Sequence, residues 1–295
     1  GRGPPAPPAP GERAAARAPP AVSIGIQNAI PATMLLRHGT PEQRERWLRP
    51  LARGELLVGF ALSEPDAGSD PAGMRAQAVR DGDGWVLNGA KAWATNGGTA
   101  DVMMVMARTD SAGARRGARG ISTFIVPTDT PGYRPGKPEG KMGRRAANTT
   151  CVSPEDLRLP ADALLGDEGM GFVYSMEGLD AGRLGIGAQA VGIARRALEL
   201  SVEYCAERRQ FDRPLREFQA VQFKLADMAT EIDAGRAMVY RAAWLKDQGR
   251  PFALEAAMAK LFTGELSQRV ANYALQIHGG YGYTKESAIS RLYRD

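Results

Sequence analysis

Ser63 and Ser69 bracket a loop of small, turn-forming and charged residues, Glu64-Pro65-Asp66-Ala67-Gly68, that follows the apolar run Phe60-Ala61-Leu62. Such a loop offers backbone N–H groups, two hydroxyls and, at Gly68, room for another backbone or a ligand to come close. This suits a polar, planar or phosphorylated ligand. The same residues also make a plain turn capped by Ser63 and Ser69. A second polar motif, Lys91-Ala92-Trp93-Ala94-Thr95-Asn96-Gly97-Gly98, lies in the same β-rich stretch. There a tryptophan beside a hydroxyl can flank an aromatic cofactor and hydrogen-bond its ring nitrogen. Taken singly, Trp93 reads as a half-buried core aromatic; two such motifs on one sheet favour the ligand.

Other chemistries are poorly supplied. Cys151 and Cys205 are the only cysteines and His38 and His278 the only histidines, too few for a disulfide framework or a His/Cys metal cage. No Gly-x-Ser-x-Gly elbow occurs, and His278 sits in a Gly-rich helix end where capping is its expected role. The 38 Lys and Arg against 33 Asp and Glu give a net charge of +5. These basic residues are scattered among acids, and Arg115, Arg116 and Arg119 form only a loop cluster without interleaved aromatics, so no nucleic-acid partner is expected. Neither a membrane-length apolar run nor a secretory core is evident, which predicts a cytoplasmic protein without membrane insertion.

The elements that must position the two motifs follow from pattern. Residues 1–20 are almost entirely Gly, Pro, Ala and Arg and read as a disordered leader, with order beginning near Ile24. A partial helical domain is expected over 21–55. In it, Thr40 caps a helix, Pro41 takes the first position, Gln43 completes a capping box, Trp47, Leu48 and Leu51 form the apolar face, and Gly54 ends it. Residues 56–165 read as a β-domain of sandwich or barrel type. It holds a hairpin over 77–89, buried strands at 102–107 and 121–126, and an irregular connection through Pro127, Pro131, Pro135 and Pro138. Residues 166–295 read as an incomplete helical bundle, with long helices over about 169–206, 217–248 and 251–278. Its buried stripes are Phe218, Val221, Leu225, Met228 and Ile232 on one helix, and Met258, Leu261, Leu266, Val270, Tyr273 and Ile277 on another. The run Gly185 to Ala190 imitates a dinucleotide fingerprint but lies inside a helical apolar run with no strand before it. The fold class is therefore α+β, multidomain.

Together these segments resemble the acyl-CoA dehydrogenases, flavoproteins that desaturate acyl-CoA thioesters, and most closely the short-chain, butyryl-CoA branch. The motifs that carry the resemblance occur in the family's order: Phe60 to Asp70, Lys91 to Gly98, Lys141-Met142-Gly143, Leu179 to Arg183, Glu207 to Leu215, Phe218 to Ala229 and Gln276 to Tyr283. The resemblance runs from about Ile24 to Asp295. It implies a helical N-terminal domain, a central β-domain and a C-terminal four-helix bundle. It implies FAD as cofactor, with Phe60, Ala61, Leu62, Ser63, Gly68 and Ser69 on one side of the isoalloxazine site and Trp93, Ala94 and Thr95 on its other contacts. Arg208 and Gln219, with Gln276, Ile277, His278, Gly279 and Gly280, match positions that hold the ADP half of FAD, mainly that of a neighbouring subunit, and Phe211 is a further cofactor-binding position. A homo-oligomer, dimer or tetramer, follows. Ser69, Asp180 and Arg183 match substrate-binding positions, and a local helix ion pair is the competing account of the last two.

The implied reaction removes the α-proton of the thioester with a glutamate while the β-hydrogen leaves as hydride to the flavin. Electrons pass on to an electron-transferring flavoprotein. The resemblance places that glutamate on a loop shortly after Arg291-Leu292-Tyr293-Arg294-Asp295, beyond the last residue here, so no catalytic residue is assigned within the chain. In the isovaleryl-type branch the base lies beside the CoA-contacting arginine, and Gly182 stands there; Glu286 matches no catalytic position. The chain is thus expected to be a partial or truncated sequence with negligible turnover of its own. The alternative reading is a catalytically silent FAD-binding or oligomer-forming fragment.

Overall fold

The computed structural model describes residues 21–110 and 117–295. The leader over 1–20 and the residues Arg115 and Arg116 lie outside them. Two compact units emerge among the described residues: one of residues 23–140 and 146–182, the other of 141–145 and 183–295.

In the first unit the helices α1 (Ala21–Ala29), α2 (Pro31–His38), α3 (Pro41–Gln43) and α4 (Arg49–Arg53) precede the sheet. Thr40 and Gln43 form the reciprocal capping box, Pro41 occupies the first turn, and Gly54 ends α4 in the left-handed region at φ 73°. The expected single helix is interrupted, because Arg44–Leu48 winds as a π-helix just ahead of Pro50, whose missing N–H removes a rung from the α ladder.

A nine-stranded sheet follows: β1 (Val58–Ala61), β2 (Gln77–Asp81), β3 (Gly84–Asn88), β4 (Lys91–Thr95), β5 (Val102–Arg108), β6 (Ile121–Pro127), β7 (Tyr133–Pro135), β8 (Thr149–Pro154) and β9 (Leu157–Leu159). The order is β7-β8-β4-β1-β5-β2-β3-β9, with β6 also on β5. β5 is buried along its whole length, because β1 and β6 pair along it and β2 joins it at Arg108. The hairpin β2–β3 turns at Gly82, φ 58°, as its Asp-Gly signal requires. The proline-rich connection is less irregular than expected. It contains β7, an edge strand in which Pro135 loses no ladder bond that the sheet needs.

Helix α5 (Gly171–Glu207) begins in this unit and continues in the second. Gly185 to Ala190 lies inside it, as the rejection of a nucleotide fingerprint requires. In the second unit a two-stranded ribbon, β10 (Arg209–Gln210) and β11 (Arg213–Pro214), leads to α6 (Gln219–Asp247), α7 (Ala253–His278) and α8 (Ala288–Arg294). The pairs Arg241–Glu255, Arg269–Glu231 and Lys224–Tyr273 show α6 and α7 running antiparallel. Met228 and Ile232 are buried on α6 as expected. On α7 the stripe needs correction. Met258 and Leu261 are 52% and 63% exposed, while the buried face reads Ala256, Ala259, Thr263, Leu266, Val270, Ala274 and Ile277. Gly235 on α6 makes room for that face, since a Cβ there would fall 2.8 Å from Leu266 and 3.2 Å from Thr263.

Candidate functional site

The two polar motifs meet on neighbouring strands. Phe60 of β1 stands opposite Thr95 of β4, and the Ala92 amide donates to the Ser63 carbonyl at 2.9 Å. Ala61 and Leu62 are buried, and Ser63 and Thr95 are half-buried at the edge of that packing. Beyond Ser63, Glu64 and Ala67 exchange both backbone hydrogen bonds at 3.1 Å, which folds Pro65 and Asp66 into a tight turn. Gly68 and Ser69 then stand exposed, and nothing approaches within 4 Å of where a Gly68 side chain would begin.

Trp93 departs from the half-buried core aromatic that it resembles in isolation. It is 65% exposed, and its backbone is left-handed at φ 60°. The cause is a bulge: Lys91 pairs with Val152 and Ala94 with Thr150, so Ala92 and Trp93 together face Cys151. The extra residue turns the indole out of the sheet while Ala94 remains buried. A bulky residue held at positive φ and left uncovered is a cost without a packing return.

Behind this wall lies a pair that the motifs did not reveal. Lys91 is fully buried, and its ammonium donates to the Leu62 carbonyl at 3.2 Å, Glu64 Oε1 at 2.8 Å and Met74 Sδ at 3.7 Å. The Glu64 carboxylate also accepts from the Arg75 amide at 2.6 Å and the Ala76 amide at 3.0 Å. Burial pulls the Lys91 ammonium below its ordinary pKa, and the Glu64 charge opposes that pull. A lone lysine among apolar neighbours in a strand, set against the only glutamate of the facing motif, is the signal that sequence reading passed over.

A second cluster forms where α7 ends. Arg208, His278, Gly279 and Gly280 line one cavity of about 460 Å³, with Tyr204, Tyr281 and Ile277. His278 Nδ1 lies 2.8 Å from the Ala274 carbonyl and therefore carries the proton there. The ring also stacks on Tyr204 at 4.4 Å. The side chain thus bonds back to a carbonyl of its own helix, one turn before the end of α7. Gly279, at φ 58°, stops the helix, and neither it nor Gly280 has an atom within 4 Å of a would-be Cβ, so a ligand can lie on the backbone. The Arg208 guanidinium sits over the Tyr281 ring at 5.9 Å. Gln219, at the first turn of α6, and Gln276 are exposed and do not line this cavity. Phe211 projects from the β10–β11 turn, 87% exposed, with φ positive at both Phe211 and Asp212.

Asp180, Gly182 and Arg183 share one stretch of α5. A Cβ on Gly182 would meet only Ile30, at 3.6 Å, so the position has space for a side chain. Near the last residue, the Arg144 amide donates to Asp295 Oδ1 at 2.6 Å and its Nε to the Asp295 carbonyl at 2.8 Å, so the Lys141-Met142-Gly143 motif abuts a grip on the segment Arg291 to Asp295. The larger cavity, about 600 Å³ between Thr40, Trp47, Ile125, Pro127 and Arg158, is lined by none of the predicted site residues. Among the described residues no cluster of His, Cys, Asp and Glu could hold a metal, and no helix is long and apolar enough to cross a membrane.

Family models of the acyl-CoA dehydrogenases match nearly the whole chain: the N-terminal domain over residues 11–55, the middle domain over 59–157 and the C-terminal domain over 169–295. The chain belongs to the acyl-CoA dehydrogenase family. A probable acyl-CoA dehydrogenase of Bacillus subtilis is 50% identical over 275 residues, which are 93% of this chain and 70% of the relative. The short-chain specific acyl-CoA dehydrogenase of Bos taurus mitochondria is 46% identical over 93% of this chain and 66% of its own length. The solved butyryl-CoA dehydrogenase of Megasphaera elsdenii is 42% identical and superposes with a TM-score of 0.93, covering 96% of this chain and 74% of that one. The chain thus spans about two thirds to three quarters of the proteins it matches. This acyl-CoA dehydrogenase is an α+β oxidoreductase of a family whose cofactor is FAD. Its residues fit that group: on the sheet an uncovered indole stands near the Ser63 and Thr95 hydroxyls, and at the end of α7 Arg208 lines a cavity together with open glycine backbone.

Proposed function

We propose that the protein oxidises a short acyl-CoA thioester to its trans-2-enoyl-CoA and passes the electrons to an electron-transferring flavoprotein, working as a homo-oligomer. The observation that carries this reading is Trp93, uncovered and bent out of β4 beside Thr95 and opposite the Phe60 strand. In it, Phe60 to Ser63, Gly68 and Ser69 hold one side of the isoalloxazine and Trp93, Ala94 and Thr95 the other contacts. The flavin, when bound, supplies the hydride acceptor. Hydroxyls and amides of the wall fix its polar edge and oppose charge that develops there without having to reorganise. Arg208, with Phe211, Gln219 and residues Gln276 to Gly280, holds the ADP half of a flavin bound largely to a neighbouring copy. The guanidinium supplies charge-assisted bonds and the two glycines a close approach to the pyrophosphate. Ser69, Asp180 and Arg183 orient the CoA thioester. The proton is taken by a glutamate on the loop that follows Asp295 in the family's pattern.

Anaerobic addition of butyryl-CoA, with flavin absorbance as the readout, tests this. A polypeptide extended past Asp295 through the next segment is expected to bleach rapidly, and residues 1–295 alone to bind FAD without bleaching. Rapid bleaching by residues 1–295 would place the base within them. Failure of both polypeptides to bind FAD would favour the silent fragment.

A further inference from the structure

We propose that the buried Lys91–Glu64 pair is the positioning element of the flavin-facing wall, fixing the Phe60–Asp70 loop against β4. Neither side chain belongs to the wall itself, and the inference rests on the flavin reading above.

Every arm of the pair ends on the segments it would have to position. Lys91 uses its three protons on Leu62, Glu64 and Met74. Leu62 lies within the wall, while Met74 stands where the loop rejoins the sheet. Glu64 receives the Arg75 and Ala76 amides and so ties together two points eleven positions apart, closing the loop that carries Gly68 and Ser69. Its own backbone makes the reciprocal bridge to Ala67. The loop is therefore pinned at its start by the Lys91 bond to Leu62, at its first turn by the Glu64 backbone and at its end by the Glu64 carboxylate, which is itself held from β4 two residues before Trp93.

Stability does not explain such a pair. Two buried charges lose their hydration, and well-packed apolar replacements are often as stable or more so. What an apolar replacement cannot do is hold two backbone amides and a carbonyl at fixed places. An exposed loop such as Gly68-Ser69 would otherwise be ordered only when a ligand orders it, and binding would be weakened by that ordering.

Lys91→Met, Glu64→Gln and the double variant test the assignment; the double variant leaves no unpaired buried charge and decides if a single variant does not fold. Apo-protein melting is measured beside the FAD dissociation constant and the fluorescence anisotropy of bound flavin. A positioning role predicts a double variant that melts within a few degrees of the parent, binds FAD at least tenfold more weakly and holds the isoalloxazine more loosely. FAD affinity within twofold of the parent overturns the proposal. So does a double variant that fails to fold, or that loses FAD only in step with a lowered melting temperature, since the pair is then structural. A parent that retains no flavin overturns the flavin reading and the proposal with it, whereas a parent and variants that retain it equally overturn only the proposal.

Discussion

Replacing Trp93 by glycine and by alanine separates backbone strain from side-chain loss. Both substitutions remove the same indole contacts, and the indole is 65% exposed, so those contacts are few. The two differ in what the backbone at φ 60° demands. An alanine held in the left-handed region costs about 1–2 kcal/mol, which glycine escapes. Glycine instead loses about 0.5–1 kcal/mol through the freedom of its unfolded chain. Trp93→Gly is therefore expected to be more stable than Trp93→Ala by about 0.5–1 kcal/mol, the reverse of the order at an ordinary strand position. Urea unfolding followed through Trp85, buried against Phe124 in the same sheet, gives the comparison directly. Both variants should also bind FAD about 2- to 10-fold more weakly, since an aromatic stack contributes about 0.5–1.5 kcal/mol. An alanine variant more stable than the glycine variant would refute the argument, because β4 would then carry no strain at the bulge.

Two titrating groups give further tests. The buried Tyr133 hydroxyl donates to the Gly97 carbonyl at 2.6 Å, and burial pushes its pKa up. Its contribution is fully present below the phenol's ordinary pKa of about 10 and lost as pH rises beyond it. Tyr133→Phe should cost about 1 kcal/mol at neutral pH and flatten the alkaline fall in urea midpoint; an unchanged alkaline slope would count against the bond. For Glu177, burial pushes the carboxyl up, but His38 at 2.9 Å and Arg37 at 3.3 Å outweigh it and hold the pKa below 4.5. That stabilisation is present above the ordinary carboxylate range and lost as pH falls through the lowered value, so Glu177→Gln should flatten the acid limb of a melting-temperature profile.

The long helices were legible because their periodicity and stops are local. Thr40, Gln43 and Gly54 announced a helix start and stop, and the ends of α5, α6 and α7 fall within three residues of their expected places. The π-wound Arg44–Leu48 and the true face of α7 were not legible. Met258 and Leu261 have the hydrophobicity of a core stripe, yet which face is buried depends on how closely Gly235 and Gly187 let neighbouring helices approach. On the sheet, the residue types of both motifs were readable, but the exposure of Trp93 was not. It follows from a bulge whose cause is the register between β4 and β8, a contact across more than fifty residues. Lys91 stayed hidden for the same reason, since its partners sit on the facing strand and past the loop.

Strand β4 concentrates departures from the rules that its neighbours obey. β5, two strands away, is buried at every position and continuously apolar up to Arg108, as a central strand selected for packing should be. β4 instead buries a charged lysine and strains a tryptophan within three residues, and the positive φ of Asn96 follows directly after it. No single departure of this kind improves the fold, and each would be removed by a conservative change elsewhere in the sheet. In the proposed reading, their accumulation opposite Phe60 to Ser69 is stability given up in one place to hold a fixed wall there. A wall of that kind lowers the ordering cost of a planar ligand before the ligand arrives, and that is the physical content of preorganisation at this site.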